Sequence, residues 1–256
     1  MAAIEQSFSW DGFIRTGIEP DRLLRGAAEI GYAGVELVEP ELWPRIRAHG
    51  LRIVSITGHK LTPIGLNRRD AFPALQAEIS TNLRLAAQWD IPYVLCFSGN
   101  RYDINADAAA EITAEHLRAL APLAQDLGVT LVLELLNSKV AGRDYQADHS
   151  SWGIRVCQMV ESPRVRLLYD IFHMQIMEGD IINTIRSGHT CFGHYHTAGN
   201  PGRHELDAEQ ELNYPPIIRA ISASGHEGYI GHEFMPKADA LTALKSAFDL
   251  AQAALA

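Results

Sequence analysis

The sequence predicts an α/β fold, a (β/α)8 (TIM) barrel occupying residues 1–256 as a single domain. Three observations carry this. A short β-branched run followed by a longer amphipathic stretch recurs about eight times along the chain. The runs are continuously apolar, as expected of parallel strands covered on both faces. No glycine-rich phosphate loop follows the first run, where an open nucleotide-binding sheet would carry one. A length of 256 residues also suits one α/β barrel.

The first strand is "SFSW" (Ser7 to Trp10), the most weakly marked. "GVELV" (Gly34 to Val38) is the second, and "PELWPRIRAHG" its helix. "LRIVSITG" (Leu51 to Gly58) leads through a polar loop to "FPALQAEISTNLRLAAQWD", whose apolar residues fall at helical spacing. "PYVLCFSG" (Pro92 to Gly99) precedes "DAAAEITAEHLRALAPLAQDLG", and "TLVLELL" (Thr130 to Leu136) precedes a loop and "WGIRVCQMV". "RVRLLYD", "CFGHYHT" and "GYIGHEF" complete the set, each with a helix-like partner. Gly31, Gly50, Gly128 and Gly225 stand where helices should end in a left-handed cap.

Composition narrows the class. With 47% hydrophobic and 21% charged residues, the chain can bury a large core. A net charge of -9, with Lys and Arg scattered rather than striped, disfavours a nucleic-acid partner. No apolar run approaches the roughly 18 residues of a membrane span. The N-terminus "MAAIEQSFSWDGF" lacks the basic start and apolar core of an export signal. Cys96, Cys157 and Cys191 are odd in number and far apart, unlike a disulfide framework or zinc knuckle. The expectation is a cytoplasmic protein with reduced thiols.

In such a barrel the chemistry sits at the C-terminal strand ends. Those positions hold Glu36 and Glu39, His59, Ser98 and Asn100, Glu134 and Asn137, Asp170 and His173, His194 and His196, His232 and Glu233. Each has a plain explanation alone. A glutamate caps a helix or faces water, Asp170 caps the next helix, His173 is a loop histidine, and one of the "HYH" pair packs under a helix. Convergence changes the weighing. Four successive late strands ending in Glu, Asp, His and Glu would crowd several carboxylates, which raise one another's pKa. A divalent cation relieves this, and three carboxylates with one imidazole suit Mn²⁺, Mg²⁺ or Co²⁺ better than a thiolate-preferring metal.

The stretches "VLELLN", "YDIFHMQIMEGD", "GHYHTAGNPGRHELDAEQELNYPPI" and "GYIGHEFMP" resemble the hydroxypyruvate isomerase family. That family lies within the wider xylose isomerase-like superfamily, which includes ketose 3-epimerases. The likeness is clearest from Leu131 to Pro236; the N-terminal half agrees in its βα rhythm and in "IGYAGVEL". "QIMEGD" and "PGRHE…ELNYP" are specific to the isomerase branch, whereas the Glu-Asp-His-Glu set is common to the superfamily. The resemblance implies that Glu134, Asp170, His196 and Glu233 hold one divalent metal. It implies that Glu134 and Glu233 double as the acid/base pair and that His173 contacts substrate; Arg203 lies in the matching "PGR". The isomerase branch often carries Gln where His196 stands, and the epimerases carry His.

The expected reaction interconverts a small 2-keto-3-hydroxy acid and its aldehyde isomer, of the hydroxypyruvate/tartronate semialdehyde type, through an ene-diolate. One carboxylate removes a proton from carbon, and the same or an opposed one returns it to the neighbouring carbon. His173 assists proton movement between the oxygens. Arg203 can hold a substrate carboxylate by two parallel bonds, and His59 lines the pocket. Return of the proton to the opposite face of the original carbon would make a ketose 3-epimerase, the alternative that His196 favours. A three-zinc DNA-repair nuclease would need further ligands and a basic face. A merely binding barrel would not require both acids. The partner is therefore a small keto acid or ketose, with neither nucleic acid nor membrane. The long stretch Gly199 to Asn213 leaves a homo-oligomer open.

Overall fold

The computed structural model describes residues 4–237 and 239–256, so the reading of the first three residues lies outside the described part. Eight strands form the sheet: β1 (Glu5–Ser9), β2 (Gly34–Glu36), β3 (Arg52–Thr57), β4 (Tyr93–Cys96), β5 (Thr130–Glu134), β6 (Val165–Asp170), β7 (Phe192–Thr197) and β8 (Tyr229–His232). They close into a barrel in sequence order. Between and after them run α1 (Trp10–Ile14), α2 (Pro20–Ile30), α3 (Trp43–Ala48), α4 (Phe72–Gln88), α5 (Ala106–Leu127), α6 (Ser150–Val160), α7 (Ile171–Met177), α8 (Ile181–Gly188), α9 (Tyr214–Ala223) and α10 (Ala240–Leu255). Among the described residues no helix is long and apolar enough to cross a membrane.

The strands are shorter than or offset from the runs read in the sequence, β4 ending at Cys96 rather than Gly99 and β5 at Glu134 rather than Leu136, and two of the boundaries have a local cause. Trp10 opens α1 rather than ending β1. β2 stops at Glu36 because Leu37 adopts a left-handed backbone, φ 56°. A leucine there is uncommon, and its side chain gives no warning of it.

Internal contacts gather the chain into two groups. In the first, which holds β1, β2 and β8, Ser7 on β1 is in register with Gly34 on β2 and Gly231 on β8. Phe8, Phe13, Tyr32 and Phe234 fill its interior through edge-to-face contacts, with ring centroids 4.9–5.5 Å apart.

In the second group, β3 to β6 pair in parallel, and every residue of β4 is buried, as strands covered on both faces require. Gly153 lets α6 close on these strands, since a Cβ there would lie 2.9 Å from Leu135 and Leu167 methyls. The loops after β3 and β4 meet backbone to backbone. Leu66 and Asn67 donate to the Phe97 and Ser98 carbonyls at 3.1 and 2.9 Å, and Asn100 donates to Pro63 at 2.8 Å. Gly65 and Gly99 make this possible: a Cβ on Gly65 would stand 2.3 Å from the Gly99 nitrogen.

Candidate active site

Four strands deliver polar side chains at their C-terminal ends. Glu134 is the last residue of β5 and Asp170 the last of β6; His196 is next to last in β7, and Glu233 directly follows β8. Each offers one ligand atom, and these atoms lie within 4.8 Å of one another. Glu134, Asp170 and His196 are buried, while the Glu233 side chain keeps 21% of its surface exposed. Buried carboxylates need a counter-charge. Two buried carboxylates and the partly exposed Glu233 beside one imidazole, at this spacing, form a donor set that fits a divalent cation with oxygen preference.

His196 is gripped from both sides. Its Nε2 lies 3.1 Å from Glu36 Oε2, and its Nδ1 lies 2.8 Å from Glu233 Oε2. Burial opposes the imidazolium, but the carboxylates of Glu233 and Glu36 outweigh burial and push the pKa well up. His232 differs. It receives a hydrogen bond from Thr197 Oγ1 at Nδ1 (2.7 Å) and donates from Nε2 to Gln6 Oε1 (3.0 Å). Burial drives its pKa down to about 3, so the ring is a neutral brace.

Asp170 also caps α7, its Oδ1 accepting the His173 amide at 3.2 Å. This is the plain role the sequence offered, and it coexists with a place among the ligand atoms. A chain of hydrogen bonds orients His173. Asn137 Oδ1 accepts the Val140 and Ala141 amides at 2.8 and 3.0 Å, so its amide nitrogen faces His173 Nδ1, 2.6 Å away. That nitrogen donates, Nδ1 accepts, and the neutral ring carries its proton on Nε2. His173 Nε2 lies 3.5 Å from Asp170 Oδ2.

Arg203 and His59 make contacts the sequence did not announce. Arg203 Nη2 donates to Glu233 Oε2 at 2.7 Å and its Nε to the Glu233 carbonyl at 3.3 Å. Its guanidinium therefore bears on a candidate ligand. The Arg203 backbone is left-handed, φ 58°. Both His59 nitrogens meet backbone: Nδ1 donates to the Lys60 carbonyl (3.1 Å) and Nε2 accepts the Phe97 amide (3.0 Å). The His59 ring is buried and packs edge-to-face with Phe97, centroids 5.5 Å apart. His194 is buried and stacks on Tyr93, centroids 4.8 Å apart.

Sequence reasoning left Glu36 and Asn137 among the strand-end residues without a role, and passed over Ser7. Ser7 and Glu36 are both buried, on neighbouring strands, and the Ser7 hydroxyl donates to Glu36 at 2.5 Å. Asp148, buried and bonded by Arg101 and by Ser138 Oγ (2.5 Å), gave no signal of its own.

The chain is 28% identical over 242 residues to a human protein provisionally named hydroxypyruvate isomerase, covering 86% of each. It is 27% identical over 225 residues to the 2-oxo-tetronate isomerase of Pectobacterium atrosepticum, covering 83% of this chain and 85% of that one. The solved structure of an L-ribulose 3-epimerase superposes with a TM-score of 0.78 at 20% identity, over 100% of this chain and 95% of that one; this likeness concerns the fold. The family model described as xylose isomerase-like TIM barrel matches residues 24–250. The chain belongs to the xylose isomerase-like TIM barrel family.

Proposed function

We propose that residues 1–256 act as a single-domain, metal-dependent isomerase of small keto acids in the cytoplasm. The reaction is interconversion of a 2-keto-3-hydroxy acid and its aldehyde isomer through an ene-diolate, of the hydroxypyruvate/tartronate semialdehyde type. The observation that carries the reading is the cluster of Glu134, Asp170, His196 and Glu233, whose ligand atoms lie within 4.8 Å of one another. The names of the curated relatives point to the same reaction class.

Glu134, Asp170, His196 and Glu233 would hold one divalent ion, Mn²⁺ or Mg²⁺, with Co²⁺ as a further fit. When bound, that ion would polarise the substrate carbonyl and acidify the adjacent C–H. Glu134 and Glu233 come from different strand ends, so one can remove a proton from carbon and the other return it to the neighbouring carbon. His173, held by Asn137 with its proton on Nε2, moves a proton between the substrate oxygens. Arg203 steadies Glu233 and presents its guanidinium to the substrate carboxylate. His59 lines the pocket with its ring.

The test is a panel of hydroxypyruvate, 2-oxo-tetronate and free ketoses, run on chelated enzyme reloaded with Mn²⁺ or Mg²⁺. Turnover of the keto acids that needs the metal, and is lost in Glu134→Gln and Glu233→Gln, is the expected result. Full activity after exhaustive chelation would rule the reading out. The second reading, a ketose 3-epimerase, is favoured by the imidazole at position 196 and would be marked by epimerisation of ketoses without keto-acid turnover.

A further inference from the structure

We propose that Glu36 is a positioning residue for the metal centre: it anchors His196 through Nε2 and thereby presents Nδ1 to the other ligands. The inference rests on the metal-dependent reading above and extends it to a residue outside the ligand set.

The geometry is contained within strands β1, β2, β7 and β8. Glu36 is wholly buried at the end of β2. Its Oε1 accepts the Ser7 hydroxyl at 2.5 Å, and its Oε2 lies 3.1 Å from His196 Nε2. An ionised carboxylate only accepts hydrogen bonds, so Nε2 must carry the proton. The ring is then left with Nδ1 toward Glu233, 2.8 Å away. A histidine that ligates through one nitrogen usually donates its other N–H to a carboxylate, which fixes the ring and raises its basicity.

Space for this carboxylate is built into the barrel. A Cβ on Gly231 would stand 2.2 Å from Glu36 Oε1 and 2.9 Å from His196 Cδ2. Any larger residue at position 231 would collide with both partners. A buried glutamate with a dedicated donor on one neighbouring strand and a dedicated vacancy on the sheet is costly to keep unless its charge is used. Glu36, His194 and His196 also offer donor atoms within 4.8 Å of one another. Both Glu36 oxygens are engaged as described, which favours the supporting role over direct ligation.

The experiment titrates Mn²⁺ by calorimetry into the metal-free full-length protein and into Glu36→Gln, Ser7→Ala and Gly231→Ala. Melting of each metal-free protein is measured in parallel. The wild type should bind one Mn²⁺ per chain. Glu36→Gln keeps the shape but not the charge, and should raise the Kd roughly 10–100-fold, the usual cost of losing such a partner. Ser7→Ala should weaken binding in the same direction by less, and Gly231→Ala by about as much as Glu36→Gln. Should Glu36→Gln fail to fold, Ser7→Ala decides. Unchanged Mn²⁺ affinity in the folded variants, with only the metal-free melting lowered, would overturn the proposal and leave Glu36 a purely structural residue. Two Mn²⁺ per chain, with one lost in Glu36→Gln, would overturn it by making Glu36 a ligand. A wild type that binds no Mn²⁺ or Mg²⁺ at all would bring down the metal reading itself, and this inference with it.

Discussion

Replacing Arg203 by alanine should weaken metal retention as well as the binding of acid substrates. The guanidinium donates to Glu233 Oε2 at 2.7 Å, within the range of a charge-assisted bond. Such bonds contribute about 1.5–3 kcal/mol. The Arg203 and Glu233 side chains keep 24% and 21% of their surface exposed, so water screens part of this. An effect of about 1–2 kcal/mol follows, roughly a 5–30-fold rise in the Mn²⁺ Kd. Alanine inherits the same left-handed backbone as Arg203, so the perturbation is confined to the side chain. Lysine should restore part of the metal affinity, because an ammonium can still donate a hydrogen bond that holds Glu233 Oε2 in place. It should restore little of the acid-substrate affinity, because an ammonium lacks the planar fork. Mn²⁺ calorimetry, with kcat/KM for one keto acid and one ketose at saturating metal, reads both effects. If Arg203→Ala binds Mn²⁺ as tightly as wild type and loses only the keto acid, the contact with Glu233 has no energetic role and the reasoning fails.

Exhaustive chelation should abolish activity and lower the melting temperature, since an ion at about 100 times its Kd adds about 2.7 kcal/mol to the folded state; scanning calorimetry with and without Mn²⁺ checks this. His196→Ala should lose the metal in the same titration, whereas His194→Ala should retain it; the reverse would put the wrong histidine in the site. Asn137→Ala should lower kcat while leaving the Mn²⁺ Kd near wild type, because it frees His173 Nδ1 and touches no ligand; equal damage to both would show that the loop has collapsed. Burial raises the Asp148 carboxyl, but hydrogen bonds from Arg101, Ser138 and His149 outweigh it and hold its pKa below the usual range. The folded-state pKa lies below the unfolded one, so this stability is present above about pH 4 and lost as pH falls through the depressed value. Urea unfolding should therefore show Asp148→Asn closing its gap to wild type below about pH 4, and a constant gap would count against the assignment.

The strands were legible because a barrel strand covered on both faces needs a continuous apolar run, and the sequence carries such runs. Their ends were less so. Leu37 reads as strand by its side chain, yet its backbone turns left-handed under tertiary constraint. Likewise the acids and imidazole at positions 134, 170, 196 and 233 could be singled out, because charge at the end of an apolar run is itself anomalous. What stood hidden were the partners. Ser7 and Glu36 are separated by 29 residues, Asn137 and His173 by 36, and Glu36 and His196 by 160. Barrel closure brings these residues together, and no local pattern encodes such distances. Arg203 was visible as a cation on a long loop, but its bond to Glu233, 30 residues on, arises only when that loop folds back.

The meeting of Gly65 with Gly99 bears on how this scaffold could be re-engineered. Loops at a barrel rim are commonly treated as interchangeable parts, each transplantable without regard to its neighbours. Here the loops after β3 and β4 share three main-chain hydrogen bonds and approach so closely that neither glycine tolerates a Cβ. They constitute one module. The exposed Leu61 and Ile64 ride on one of them and the exposed Tyr102 on the other, so a shift of either loop that kept the seam would carry all three side chains together. A graft that exchanges one loop and keeps the other would break the shared seam. Transfer of both, from Gly58 to Ile104, would carry that seam intact into a new host.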